Sequence, residues 1–342
     1  MAIKKLILLT TFIAILAVAI AGCGKSDGKV RESEKSASGG DDKEIVINVG
    51  TTGTEGTAAV VGLEKFKEEV EKQSNGKIQV KLHINGALGG EREVLEAVTL
   101  GTIEATATST AVVGNFVPEM GVADLPFVFQ DIQHARKVMN GEVGEQIAKK
   151  LEAHNLKLLT WGESGVRNLT TSSKEVKTPG DLKGIKIRTM ENKIHIEAWK
   201  ALGAEATPMS WTEVYTALQQ GVIDAQENPV DVIATGGIDQ VQKYLILTGH
   251  VYNPYAYNMN LDFWNKLSKE NQQIILDAAK KAQQANYEAK DKDEQMYIEQ
   301  LKGKGMTVVE VDKQPFMEAT QPIRDKYKDK FGDLLDLIAQ TK

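Results

Sequence analysis

The sequence predicts an α/β fold made of two lobes, and three observations lead to this expectation. Strand-like and helix-like segments alternate, which is typical of a mostly parallel sheet covered by helices. The alternation pauses and then resumes, and 342 residues are enough for two such lobes. A polar segment from 268 to about 302 is longer than a usual domain helix, so we expect one long helix that spans both lobes.

The first run of alternating segments begins after the N-terminal region. EIVINVGTT (44–52) is apolar and predicts a buried strand. Apolar residues then recur at helical spacing, and the helix that they predict ends at Asn75-Gly76. The chain continues with a predicted strand (77–84), a helix (89–103) and a strand of small residues (104–110).

The second run is longer and carries clearer end signals. The predicted elements are a helix (134–155), strands (156–163, 167–173 and 185–190), a helix (193–204), a helix (210–221) and strand-like segments on both sides of Asn253-Pro254. For helix 210–221, Ser210 and Glu213 have the spacing of a capping box, and Gly221 has the position of a C-terminal stop.

The N-terminus has the pattern of a lipoprotein signal peptide. Residues 1–22 contain two lysines, an apolar run and the sequence IAG directly before Cys23, which predicts cleavage before Cys23 and lipid on its sulfur. The alternative is a membrane anchor that stays attached, but the apolar run is short for a spanning helix. Residues 23–44 are rich in serine, glycine and charge, and we expect a flexible tether.

Composition and motifs exclude several classes of function. The net charge of −6, without a basic cluster, argues against nucleic-acid binding. Cys23 is the only cysteine, so a mature domain with a lipidated Cys23 has no disulfide, no thiol nucleophile and no zinc-thiolate site. The five histidines are scattered, and the glycine-rich GALGGE (86–91) lacks the dinucleotide fingerprint. We therefore expect a protein that is not an enzyme and that has no cofactor and no metal.

One arginine stands out within a predicted strand. In DLKGIKIRTM (181–190), Arg188 lies in the middle of an otherwise apolar strand that we expect to be buried. A buried guanidinium is costly unless an anion meets it. Two interpretations are open: an internal ion pair, or an anionic ligand.

Several stretches together resemble a known family of transport proteins. They are DLKGIKIRTM, LGAEATPMSWTEVYTALQQGVIDAQENP (202–229), VQKYLILTGHVYNPYAY (241–257), LGGEREVLEAVTLGTIE, DLPFVFQD and WGESGVRNLTT. Taken in their order along the chain, they closely resemble the substrate-binding proteins of TRAP (tripartite ATP-independent periplasmic) transporters, from about residue 45 to about 311. The resemblance implies a two-lobed, periplasmic-binding-protein-like fold. We expect lobe 1 to hold residues 45–165 and 254–293, and lobe 2 to hold residues 166–253 and 294–342.

The resemblance also implies a set of binding residues in a cleft between the lobes. Arg188 matches the arginine that pairs with the ligand carboxylate, which supports the ligand interpretation, and a planar guanidinium suits that task. The other implied residues are Arg167, Asn228 and Trp211, followed by Thr52, Glu91, Ser109 and Tyr252. Trp211 stands where relatives commonly have phenylalanine. Alternatives remain open for four of these residues. They are that Arg167 is solvated, that Trp211 belongs to the apolar core, that Asn228 caps a turn, and that Glu91 serves only to stabilise the start of a helix through the helix dipole.

The implied function is that of a receptor outside the cytoplasm. We expect a lipid-anchored monomer that captures an organic acid and delivers it to TRAP membrane subunits, with a ligand sensor or an enzyme as alternatives. The family binds dicarboxylates, sugar acids, keto acids and aromatic acids. Trp211 favours a hydroxylated acid, such as a uronate, that can stack on its ring.

Overall fold

The computed structural model describes residues 44–342. The predicted signal peptide, Cys23 and nearly all of the predicted tether lie outside the described residues. Among the helices of residues 44–342, none is both long enough and apolar enough to cross a membrane.

The described part of the chain contains nine strands and eleven α-helices. The strands are β1 (Ile45–Gly50), β2 (Ile78–His83), β3 (Ala105–Ser109), β4 (Leu156–Thr171), β5 (Lys186–Thr189), β6 (Glu205–Pro208), β7 (Ala225–Asn228), β8 (Tyr244–Asn260) and β9 (Thr307–Glu310). The helices are α1 (Ala58–Gln73), α2 (Glu91–Leu100), α3 (Thr110–Val113), α4 (Ile132–Met139), α5 (Glu142–Glu152), α6 (Lys193–Ala201), α7 (Trp211–Gln219), α8 (Val230–Thr235), α9 (Leu261–Lys266), α10 (Lys269–Gly303) and α11 (Gln314–Gln340).

The strands form one sheet with the order β2-β1-β3-β8-β4-β7-β5-β6, and β9 pairs with β8. Strands β2-β1-β3 are parallel and form the sheet of one lobe, while β5 pairs in parallel with β6 and β7 in the other. The long strands β4 and β8 run antiparallel to each other through the middle. The predicted two-lobed α/β class is confirmed, with the two predicted sheets joined by β4 and β8.

Two predicted element boundaries are wrong. Strands 156–163 and 167–173 are one continuous strand, β4, because its pairing with β8 continues past Gly165 through shifts in register. Gly165 takes a positive φ of 116° at one of these shifts, which explains why the local sequence looks like a break. The predicted helix 134–155 is two helices, since α4 ends before Asn140 and α5 begins after Gly141.

The predicted capping box of α7 is also wrong. Ser210 is the N-cap residue, but its side chain makes no capping hydrogen bond. Its Oγ lies instead 3.1 Å from Thr212 Oγ1. The predicted stop is confirmed, because Gly221 follows the end of α7 with a φ of 68°.

The predicted long helix is confirmed as α10, which has 35 residues. Ser268 Oγ accepts a hydrogen bond from Asn271 N (3.2 Å) and caps its first turn. Its first half packs into the apolar core around β1–β3, and its second half packs into the core around α7 and α8. Between them, Asn286 Oδ1 accepts from Glu163 N (2.8 Å) and Asn286 Nδ2 donates to Glu163 O (3.0 Å). The helix is therefore shared by both lobes and attached to the central strand β4.

Candidate ligand-binding cleft

A cavity lies between the two halves of the sheet. Its wall comes from the loop after β1, the start of α2, the middle of β4 and β8, strand β5, the start of α7 and the turn from β7 into α8. Counted with its opening to solvent, the cavity has a volume of about 530 Å³. Its position, in a cleft between two lobes, is typical of a site for a small molecule.

Arg188 lies in the wall of this cavity and is only 3% exposed. Its Nε and Nη2 both donate to the carbonyl oxygen of Met209, at 2.8 and 2.6 Å. Within residues 44–342, no acidic side chain forms an ion pair with it, in contrast to Arg136 and Arg167. Burial, together with repulsion from Arg167, lowers the pKa of Arg188 to about 10. The internal ion pair is therefore not observed, and Arg188 remains as a desolvated cation beside an open space.

Arg167 also lines the cavity, but its charge is balanced inside the protein. It is 1% exposed, and its Nε and Nη2 donate to the Glu227 carboxylate at 2.5 and 2.9 Å. His250 Nε2 lies 3.0 Å from the same carboxylate. Burial alone would raise the pKa of Glu227, but the charge of Arg167 and the contact with His250 hold this pKa well below its ordinary value. The solvated alternative for Arg167 is wrong, because the side chain is buried on β4.

Asn228 and Trp211 both lie in the cavity wall. Asn228 is buried at the end of β7, and its Nδ2 donates to Gln226 Oε1 at 2.7 Å. Trp211 begins α7, and its ring centroid is 5.8 Å from Arg188 Cζ. The ring and the guanidinium therefore face the same space, where a ligand can contact both.

Glu91 brings a carboxylate into the same wall. It is the first residue of α2, and its Oε1 accepts a hydrogen bond from Ser109 N at 3.2 Å. Burial raises the pKa of Glu91, although Ser109 N and the two nearby arginines oppose this shift. Ser109 itself is not among the lining residues, but its Oγ donates to Oδ1 of Asn253 (3.0 Å).

The last two predicted residues have different positions. Thr52 lines the cavity. Tyr252 does not, because its hydroxyl donates to the Glu163 carboxylate on the other side of β8. Glu163 also pairs with Arg136, which in turn contacts Asp291 of α10 at 2.8 Å. The prediction that Tyr252 lies near the ligand is thus not supported by its position.

Sequence reasoning missed other residues in the wall, including Asn253, Tyr255, Ser164 and Asp231. A signal for two of them was present, since Asn253 and Tyr255 are two residues apart on β8 and share one face, while Tyr252 belongs to the opposite face. Burial raises the pKa of Tyr255 well above its ordinary value, so its hydroxyl stays neutral and able to donate.

The carboxylate of Asp231 is balanced, as Glu227 is, by a buried cation. Its Oδ1 lies 2.7 Å from Lys290 Nζ, and both side chains are less than a tenth exposed. Its Oδ2 accepts from Ala58 N, at the start of α1, at 3.3 Å. Asp231 therefore connects α8 of one lobe to α1 of the other across the cavity.

Two lobes joined by long central strands, with a buried arginine in a cleft between them, define the class of solute-binding proteins. Residues 49–330 match the family model described as bacterial extracellular solute-binding protein, family 7. The chain belongs to this family, which contains the TRAP solute-binding proteins and consists of binding proteins rather than enzymes.

Three similar proteins illustrate the relationship. A solute-binding protein of Verminephrobacter eiseniae is 45% identical, over 80% of this chain and 82% of its own length. The crystal structure of a TRAP periplasmic solute-binding protein from Polaromonas sp. JS666, bound to D-erythronate, has a TM-score of 0.85 and 42% identity, covering 87% of this chain and 99% of that one. A TRAP protein from Pseudomonas putida F1, with bound D-glucuronate, has a TM-score of 0.84 and 35% identity, covering 87% and 98%.

Proposed function

We propose that this chain is a lipid-anchored receptor that closes its cleft on a hydroxylated monocarboxylate, such as a uronate or an aldonate. It then delivers this ligand to TRAP membrane subunits for ion-driven uptake, and Cys23 carries the lipid. Its two lobes have the boundaries predicted above. The choice of ligand class is based on which charged residues of the cavity wall are paired within the protein.

Of the two arginines in the cavity wall, only Arg188 makes no ion pair with the described residues. Arg167 is paired with Glu227, and Asp231 is paired with Lys290. Arg188 has no such partner among the described residues, so it provides the charge for one ligand carboxylate. Two like charges a few ångströms apart repel strongly when water is excluded. A second ligand carboxylate would meet Glu91 in this wall, and the cleft therefore favours a ligand with a single negative charge.

The remaining polar groups suit hydroxyl groups. The carboxylate of Glu91 accepts hydrogen bonds, the neutral hydroxyl of Tyr255 donates or accepts, and the amide of Asn228 does both. Trp211 adds an apolar ring on which the carbon skeleton of a sugar acid can stack. The ligands of the Polaromonas and Pseudomonas relatives, D-erythronate and D-glucuronate, are both hydroxylated monocarboxylates, which supports this assignment.

Isothermal calorimetry with the purified protein tests the proposal. We expect D-glucuronate or D-erythronate to bind at least about 100-fold more tightly than succinate. In Glu91→Gln, binding of the hydroxylated acid should weaken by roughly 10- to 100-fold, because a charged hydrogen-bond acceptor contributes about 1.5–3 kcal/mol. Binding of succinate should strengthen in the same variant, because the repulsion is removed.

The matched control is Glu93→Gln. Glu93 is an exposed carboxylate on the same helical turn that does not line the cavity, and we expect no change in either affinity. A wild-type preference for succinate, or an unchanged ratio of affinities in Glu91→Gln, would contradict the assignment of ligand class.

A further inference from the structure

The glycine-rich stretch GALGGE (86–91) has no role in the binding chemistry described above, except for Glu91. It connects β2 to α2, and Glu91 at its end lines the cavity. It faces Ser210 and Thr212 at the start of α7, which belongs to the other lobe. Three glycines in a segment that contacts the opposite lobe need a physical explanation.

At two of these glycines, a side chain would collide with side chains at the start of α7 in its present position. A Cβ atom on Gly90 would lie 2.4 Å from Ser210 Oγ, and one on Gly86 would lie 2.7 Å from Thr212 Cγ2. Contacts of a Cβ atom below 3.0 Å essentially do not occur in proteins. The two lobes therefore meet here through bare backbone on one side.

The backbone conformation favours glycine at Gly86 and Gly89 but not at Gly90. Gly86 and Gly89 have φ values of 67° and 108°, which by themselves favour glycine. Gly90 has φ −70° and ψ 174°, which any residue adopts easily. Apart from Ser210, the nearest atom to its Cβ position is Glu93 Oε2 at 2.6 Å, the end of an exposed side chain that can rotate away. Contact with the opposite lobe is thus the remaining constraint at Gly90.

The opposing segment of α7 carries the ligand-facing side chain. Trp211 lies between Ser210 and Thr212, and the Met209 carbonyl just before them accepts both hydrogen bonds from Arg188. Segment 209–212 therefore contacts Gly90 on one side and the proposed ligand site on the other. A shift of this segment relative to Gly90 would therefore also move Trp211 relative to the cavity.

Other contacts show that the cleft is closed at its mouth. Thr54 Oγ1 donates to Thr235 Oγ1 at 2.8 Å, and Asn115 Nδ2 donates to Glu191 O at 2.6 Å. Each of these joins a loop of the β2-β1-β3 lobe to the lobe of β5–β7. The contact at Gly90 belongs to this closed arrangement, and an added methyl group there would displace the hydroxyl of Ser210.

We propose that Gly90 is the docking point for the start of α7 in the closed protein, and that it positions Trp211 over the ligand. This inference rests on the proposed function as a receptor that closes on its ligand. It assigns to Gly90 a positioning role that acts through Ser210 and Trp211. A side chain at residue 90 then obstructs closure without affecting the fold of either lobe.

A ligand-free experiment tests closure directly. In a Cys23→Ser background, which has no other native cysteine, Thr54→Cys and Thr235→Cys place two thiols where hydroxyl oxygens are 2.8 Å apart. The rate of disulfide formation under a fixed oxidant then reports how often the cleft closes. We expect Gly90→Ala to slow this rate about tenfold or more. Adding Ser210→Ala should restore it, because the nearest atom of residue 210 is then Cβ, at 3.5 Å.

Calorimetry with D-glucuronate, without the engineered thiols, provides the second measurement. Gly90→Ala should weaken binding about tenfold or more, and Gly90→Ala with Ser210→Ala should recover most of the affinity. Gly332→Ala is the control for a new methyl group, since a Cβ there meets nothing within 4 Å. Alanine is also a poorer N-cap than glycine, so Gly90→Ala will lower the melting temperature slightly, and Ser210→Ala cannot reverse that loss.

Each outcome has a distinct meaning. A Gly90→Ala protein that forms the disulfide at the wild-type rate overturns the proposal. A slow rate that Ser210→Ala does not restore also overturns it, because the defect then comes from the cap of α2. If the trapping results are as expected but D-glucuronate and D-erythronate do not bind the wild type, the docking role of Gly90 is supported and the proposed ligand class is wrong.

Discussion

Replacing Arg188 by lysine keeps a positive charge in the cleft but changes its shape. In the structure, Nε and Nη2 of Arg188 both donate to the Met209 carbonyl, and the planar head extends to the cavity. A single, shorter ammonium group cannot hold Met209 and also offer two parallel donors to a carboxylate. We expect ligand affinity to fall by about 2–5 kcal/mol, or roughly 30-fold to several thousand-fold, as for a broken buried charge pair.

The empty protein should respond differently. Lowering the pKa of Arg188 from 12.5 to about 10 corresponds to about 3 kcal/mol of destabilisation, since one pKa unit equals 1.36 kcal/mol. Arg188→Met removes this cost but leaves the Met209 carbonyl without its donors, which costs about 1–3 kcal/mol. The two effects nearly cancel, so the free energy of unfolding of ligand-free Arg188→Met should change by less than about 2 kcal/mol while carboxylate binding is lost.

Calorimetry and thermal melting of the same samples at pH 7 measure both quantities. Arg92→Lys is the control, because Arg92 is an exposed arginine of α2 that does not line the cavity and whose Nε is 3.0 Å from Glu96, and it should behave like the wild type. The reasoning is refuted if Arg188→Lys binds the ligand normally but melts at a much lower temperature. That result would mean that Arg188 stabilises the fold rather than the complex.

Two further predictions concern the N-terminus and the α1–α10 contact. Growth with a labelled fatty acid should label the wild-type protein but not Cys23→Ser, and equal labelling of both would contradict lipidation at Cys23. Hydrogen bonds from Lys281 (2.6 Å) and Lys65 lower the pKa of Glu69 to about 2, below its value in the unfolded chain, so its stabilising effect is present above about pH 5 and is lost as the pH falls towards 2. Glu69→Gln should therefore unfold in less urea than the wild type at pH 7 but at the same urea concentration near pH 2.

Elements that depend on local patterns were predictable from the sequence. The length of α10 and the end of α7 at Gly221 follow from periodicity and capping signals carried by neighbouring residues. The continuity of β4 was not predictable in this way, because it depends on pairing with β8, about 90 residues away. Helix α11 was not predicted at all, although Phe331 and Leu334 on it complete a large apolar core. Pro322 within this helix weakens the local signal.

The candidate site, too, could be predicted from the sequence only in part. The position of Arg188 within a buried strand could be predicted from alternation, but the absence of a nearby acidic partner could not. The pairing of Arg167 with Glu227 depends on the antiparallel register of β4 and β7, in which Asn168 is opposite Asn228. This register places the predicted residues Arg167 and Asn228 close together. It also places Glu227 beside Arg167, where its carboxylate balances the charge of the arginine. A sequence motif can thus name the residues of a cleft without giving its net charge.

The energetic cost of Arg188 links recognition to closure. When the empty cleft closes, Arg188 loses water and gains no anion, and this desolvation opposes closure. The hydrogen bonds between Thr54 and Thr235, from Asn115 to Glu191 and from Asn192 to Ala111 (2.9 Å) favour closure, but each contributes only about 0.5–1.5 kcal/mol. In the empty protein, the desolvation of Arg188 therefore opposes these hydrogen bonds in the equilibrium between the open and closed forms. A ligand shifts such an equilibrium only through its differential affinity for the two states. A carboxylate beside Arg188 supplies that difference, because it offsets the desolvation cost only in the closed cleft.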